Sequence, residues 1–67
     1  MTVARVTKIT AASPSGFQDA IEHALSRAAQ TLRGISGLEV ISQKAKVEGG
    51  KITEYRATIE ITFILEG

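Results

Sequence analysis

His23 is the chain's only histidine, with Glu22, Ser26 and Arg27 close to it in sequence. Acid–base or nucleophilic catalysis asks for a base, a nucleophile and a group that orients the base. His23 falls on the polar side of a helix, and Ser26 does not complete such a set, so it reads as a surface histidine. No cysteine is present, which excludes a disulfide framework and any thiolate metal site. One histidine likewise rules out a histidine-rich metal site within one chain. Carboxylates are the remaining ion ligands, and Glu39 and Glu60 stand out among them. Lys44, Lys46 and Lys51 cluster near Gly49-Gly50, but Glu48 and Glu54 lie among them and Tyr55 is the one nearby aromatic. That composition does not make a nucleic-acid surface. Gly49-Gly50 joins strands and precedes no helix, so it is not a phosphate loop.

The elements that position these residues follow from hydrophobic period. Val3 to Ala12 is rich in Val, Ile and Thr and predicts a first strand. Ser13-Pro14-Ser15-Gly16 breaks it, and either Ser13 ahead of Pro14 or a Ser15/Gln18 capping box is expected to open a helix. From Phe17 the period becomes helical: Phe17, Ala20, Ile21, Ala24, Leu25, Ala28, Leu32 and Ile35 share one side. Gly34 is the expected stop, which gives a helix of about five turns. Alanine at Ala20, Ala24 and Ala28 is expected to let a sheet approach closely.

Leu38 to Glu48 predicts a second strand, Gly49-Gly50 a two-residue hairpin turn, and Lys51 onward a third strand. In Ile52 to Glu66 alternation is almost unbroken: Thr53, Tyr55, Ala57, Ile59, Ile61, Phe63 and Leu65 share one face. Such a strand spans roughly 50 Å at about 3.3 Å per residue. Under the turn Glu48 faces Lys51, and counting back pairs Val47 with Ile52, Lys44 with Tyr55, Val40 with Ile59, Leu38 with Ile61 and Glu39 with Glu60. The expected fold is α+β: a βαββ unit whose three-stranded antiparallel sheet wraps around one helix.

A domain of about 60 residues buries only about 60% of its unfolded surface, and a core of this size rarely supplies more than about 3 to 5 kcal/mol. Without disulfides, self-association is the expected remedy, with Ile41, Val47, Ile52 and Ile64 on the opposite sheet face as contact surface. A net charge of +1 gives no electrostatic case for nucleic acid or an anionic membrane as partner. Met1 to Thr10 does not read as a signal peptide, and no apolar run is long enough for a transmembrane helix. A soluble, cytoplasmic single domain over residues 1–67 is expected.

Ser13-Pro14, Ala20-Ile21, Arg27-Ala28, Thr31-Leu32-Arg33, Glu39-Val40, Gly50-Lys51, Tyr55, Thr58, Phe63, Leu65 and Glu66 follow one another at a spacing that resembles the dodecin family. The resemblance covers nearly the whole chain. It implies a non-enzymatic βαββ subunit of a hollow dodecamer that binds and stores flavins (FMN, FAD or riboflavin) in pairs between tryptophans of neighbouring subunits. A glutamine on the last strand and an arginine on the second strand accompany the ligand in that family.

In this chain the tryptophan position is held by Gly37, the glutamine position by Arg56 and the arginine position by Lys44. These three are the cofactor-site residues that the resemblance implies. Loss of each stacking platform costs about 1 to 3 kcal/mol by analogy with bases on aromatics, whereas Arg56 retains the ability to donate and to stack. The chain is most similar to a branch lacking that tryptophan, with which calcium has been associated. Gly37 reads either as a vacated platform or, with Ser36, as the helix-to-strand turn at positive φ. The simple register sends Lys44 and Arg56 to opposite faces, so a shared site asks for a bulge between Gln43 and Lys46 or for different subunits. Glu39 opposite Glu60 asks for a cation, from a neighbouring copy or as Ca²⁺.

Overall fold

The computed structural model describes residues 2–65, and Met1, Glu66 and Gly67 lie outside them. The elements run β1 (Val3–Ser13), α1 (Phe17–Ala29), β2 (Ile35–Glu48) and β3 (Lys51–Leu65). They form one antiparallel sheet in the order β1-β3-β2. This is the βαββ unit expected from the sequence. Among the described residues no helix is long and apolar enough to cross a membrane.

Alternation on β3 decides what lies inside. Ala57, Ile59 and Ile61 are fully buried against Ala20, Ala24 and Ala28 of α1. The three alanines, one helical turn apart, bring the helix close to the sheet. Leu32, Ile35, Leu38, Ile9, Ala11 and Ile21 pack around this cluster. Phe17 and Tyr55 close its far end edge to face, with ring centroids 5.1 Å apart.

The core stops there. Ile59 and Ile61 are the only large side chains described as fully buried, whereas Val3, Val6, Val40, Ile41, Val47, Ile52 and Leu65 are each 40 to 60% exposed. The fold is a slab of 52 × 19 × 12 Å. It exposes 4900 Å², against about 4,100 Å² for a compact monomer of its mass.

The helix begins at Phe17 as expected but without either predicted cap. Gly16 is the N-cap residue and makes no side-chain bond. Ser13 remains in β1, where its buried hydroxyl donates to Asp19 Oδ2 at 2.5 Å and accepts from the Ser15 amide at 3.0 Å. Ser13 therefore ties the strand end to the first helical turn. The helix also ends early, after 13 residues rather than about five turns. Thr31 and Leu32 amides both bond the Ala28 carbonyl, at 3.1 and 2.8 Å. The chain then straightens so that Gly34 O can accept from Ile64 N at 2.9 Å, and β2 starts at Ile35, earlier than Leu38.

Gly34 makes this entry at φ 76, and a Cβ there would lie 2.9 Å from the Ile64 carbonyl oxygen. Only glycine fits both constraints. The turn expected at Ser36-Gly37 is thus made by Gly34. Gly37 lies within β2, outside the positive-φ set, paired with Thr62. Gly49 and Gly50, at φ 58 and 78, form the predicted hairpin turn.

The β1–β3 ladder is continuous from Val3↔Leu65 to Ser13↔Tyr55. The β2–β3 ladder shifts register between Ile35 and Gly37, Val40 and Ser42, and Lys46 and Val47. The predicted pairs at both ends hold, including Glu39↔Glu60 and Val47↔Ile52. Between the shifts the register moves by one residue, so Lys44 pairs with Arg56 and Tyr55 with Ala45. Thr53 is the extra residue that causes this near the hairpin, and Ile41 is the one that cancels it. Bulges raise local twist and bend a strand, which curves the sheet about the helix.

Candidate functional site

Residues of even number on β3 form the sheet face turned away from the helix. Arg56, Thr58, Glu60 and Thr62 each have a neighbour on either side, so this part of the face is built of rows. Ala12, Arg56 and Lys44 form one row, Thr10, Thr58 and Ser42 the next, then Lys8, Glu60 and Glu39, and then Val6, Thr62 and Gly37. Every predicted site residue lies here, in an order that follows from the bulges. Because Ile41 is extra, Ser42 and Glu39 both share the outward face although they are three positions apart.

Lys44 and Arg56 are direct cross-strand partners, brought onto one face by a shift at Lys46/Val47, just beyond the predicted stretch. Like charges placed opposite each other repel. Arg56 relieves this by donating from Nε to Glu54 Oε1 at 2.5 Å, and Lys46 Nζ lies 3.2 Å from Glu48 Oε1. The Arg56 hydrogen bond holds the Glu54 carboxyl below its usual range; desolvation opposes this, and the charges of Arg56 and Lys46 add to it.

Gly37 does not join that pair within one chain. Its partner Thr62 is six residues along β3 from Arg56, a separation of roughly 20 Å at about 3.3 Å per residue. A Cβ at Gly37 would meet nothing within 4 Å. A pocket that uses Gly37, Lys44 and Arg56 together therefore draws them from different copies.

Glu39 and Glu60 face each other as predicted, and Lys8 flanks Glu60 on the β1 side. Among the described residues no three or more metal-ligating side chains gather. The pair alone supplies too few oxygens for calcium, which takes about 6 to 8. The hydroxyl row between acids and bases is short and ordered, with Thr10 Oγ1 and Thr58 Oγ1 2.8 Å apart.

His23 lies on the exposed helix face, with Nε2 3.3 Å from Asp19 Oδ2. The same Asp19 oxygen accepts the hydrogen bond from the Ser13 hydroxyl, so one carboxylate ties Ser13 and His23 together. A groove of about 370 Å³ lined by Thr31, Leu32, Arg33, Phe63, Ile64 and Leu65 was not anticipated from the sequence. Its walls meet only because Gly34 docks on Ile64, a long-range contact with no local signal.

This helix, sheet order and bulged hairpin define a small βαββ class. Residues 3–66 match the family model for dodecins, and the chain belongs to the dodecin family. The dodecin of Streptomyces coelicolor superposes with a TM-score of 0.92 at 32% identity, over 98% of this chain and 94% of that one. A variant of Thermus thermophilus dodecin superposes at 0.94 and 30% identity, over the full length of both chains (100% and 100%). Calcium dodecin of Mycobacterium tuberculosis, a calcium-chelating antigen, superposes at 0.81 and 32% identity over 96% and 91%. No curated protein sequence matches the chain.

Proposed function

We propose that this chain is a non-enzymatic subunit of a hollow dodecameric shell that holds a small ligand of the flavin class at subunit contacts. Membership of the dodecin family supports the shell, as does the exposed apolar surface on so small a core. The observation that supports the ligand reading is Gly37, which the family resemblance aligns with the stacking platform: it lies within β2, and a Cβ there would meet nothing within 4 Å. Flavin rings would enter there without an aromatic partner from this position. Loss of two stacking contacts at about 1 to 3 kcal/mol each weakens binding by roughly 30-fold or more. The test is a titration of the assembled protein with riboflavin and FMN, followed by flavin fluorescence. Weak, saturable binding is expected, and a linear response up to about 1 mM, a level equivalent to about −4 kcal/mol, would remove the flavin reading.

A second reading is a structural or ionic shell without flavin. Glu39 directly opposite Glu60 favours it, because the pair asks for a cation at a subunit contact. Calcium is one candidate, given the calcium dodecin among the similar structures. A basic side chain from a second copy is the other.

A further inference from the structure

One carboxylate oxygen on α1 is shared by two side chains. Asp19 Oδ2 accepts from the Ser13 hydroxyl at 2.5 Å and lies 3.3 Å from His23 Nε2. Asp19 and His23 stand four residues apart on the helix, the spacing at which side chains of successive turns meet. Ser13 comes from the end of β1 and is buried, so its hydroxyl fixes the Asp19 carboxylate from the protein side. A carboxylate oxygen has two lone pairs. Ser13 takes one of those on Oδ2 and leaves the other to face His23. Both side chains of the pair are open to solvent, so an ion can enter.

The two facing atoms are separated as two ligands of one small metal ion are. Zinc binds imidazole nitrogen at about 2.0 to 2.1 Å and carboxylate oxygen at about 2.0 to 2.2 Å, which at the tetrahedral angle sets the two ligand atoms about 3.3 to 3.5 Å apart. We infer that Asp19 Oδ2 and His23 Nε2 together bind a divalent transition-metal ion of the zinc class. Ser13 is the positioning residue, since the partner that holds a ligating carboxylate sets its orientation. Among the described residues no group of three metal-ligating side chains gathers, so water fills the remaining positions. Glu22 and Ser26 border the same open cleft, and Glu22 adds negative charge beside it. Arg27, the basic group of the last helical turn, stands one turn beyond His23 on the side away from Asp19.

This site lies on the solvent side of α1, across the sheet from the face that carries Gly37, Lys44, Arg56, Glu39 and Glu60. It is therefore separate from the flavin and ionic readings above. Its chemistry is also different. Calcium takes about 6 to 8 oxygen ligands, whereas an imidazole nitrogen selects zinc, copper or nickel over calcium.

Equilibrium dialysis of the whole chain, without an added histidine tag, against Zn²⁺ counts the bound ions. The imidazole NMR signals locate them, because His23 is the chain's only histidine. One Zn²⁺ per chain is expected, saturating below about 1 mM, with the His23 signals moving in step and a tenfold excess of Ca²⁺ leaving it bound. His23→Gln should weaken binding at least tenfold. Asp19→Asn should do the same, while its amide oxygen still accepts from Ser13 and keeps the fold. Ser13→Ala should weaken binding about tenfold with the His23 signals still moving at saturation. Glu39→Gln combined with Glu60→Gln should leave it unchanged. No saturable uptake below about 1 mM, uptake that leaves the His23 signals in place or survives His23→Gln, or displacement by Ca²⁺ would overturn the inference. Loss in the Glu39/Glu60 variant alone would overturn it too, and would give the ion to the outer sheet face. Full affinity in Ser13→Ala would overturn the role of Ser13. The flavin titration reads the other face, so either reading can fail without the other.

Discussion

Gly34 and Ile64 are joined so closely that the backbone at position 34 has no room for a side chain. The Gly34 carbonyl accepts from the Ile64 amide at 2.9 Å, and a Cβ on Gly34 would lie 2.9 Å from the Ile64 carbonyl oxygen. This contact docks the exit of α1 on the end of β3 and forms the groove beside Phe63. Gly34→Ala should cost about 1 to 2 kcal/mol from the left-handed backbone alone, with more from the clash. Gly37→Ala, in extended backbone with free space, should instead gain about 0.5 to 1 kcal/mol. Urea denaturation of both variants at one fixed protein concentration checks the contrast.

Gly37→Trp tests the ligand site directly. The open space at this position accommodates a ring, so the variant should fold and bind riboflavin at least tenfold more tightly than the parent, about 1.4 kcal/mol. Fluorescence titration reads this change. Unchanged affinity would mean that the surrounding pocket, and not the missing platform alone, differs from that of the flavin binders.

Ser13 is the one buried polar residue described, and its hydroxyl bonds on both sides, to Asp19 and to the Ser15 amide. Ser13→Ala removes the clasp between β1 and α1 and with it the charge-assisted hydrogen bond to Asp19, at a cost of about 1 to 3 kcal/mol. Thermal unfolding at fixed concentration should show the loss. Helix content at low temperature should be unchanged.

Glu54 gives an acid-side prediction. Its folded carboxyl titrates below the ordinary value of 4.5, chiefly through the Arg56 hydrogen bond. A depressed folded value means that the contribution is fully present above the unfolded value and is lost as pH falls below it through the folded one. A carboxyl-detected NMR titration should place the Glu54 midpoint below 4.5, and Arg56→Gln should return it toward that value.

Strong period made most of the fold legible. The first strand, expected over Val3 to Ala12 from its Val, Ile and Thr content, the helix start at Phe17, the Gly49-Gly50 turn and the buried face of β3 follow from composition, helical spacing, glycine chemistry and alternation. The Glu39↔Glu60 pair was legible by counting from the turn. Two things were not. Ile41 and Thr53 are ordinary strand residues, and nothing local marks either as the extra residue in a bulge, so the middle of the β2–β3 register was off by one and Lys44 was parted from Arg56. Gly34 was legible as a stop suited to the left-handed conformation, but that Gly37 instead lies extended within β2 was not, because β2 starts at Ile35 through the long-range docking of Gly34 on Ile64. The separation of Gly37 from the Lys44–Arg56 pair follows from register alone.

Native mass spectrometry of protein purified without added ligand or metal tests the central claim, that this chain works as an assembled shell. A twelve-subunit mass is predicted. A monomer or a small oligomer at micromolar concentration would contradict it, and would leave Val3, Val6, Val47 and Ile52 exposed without cover.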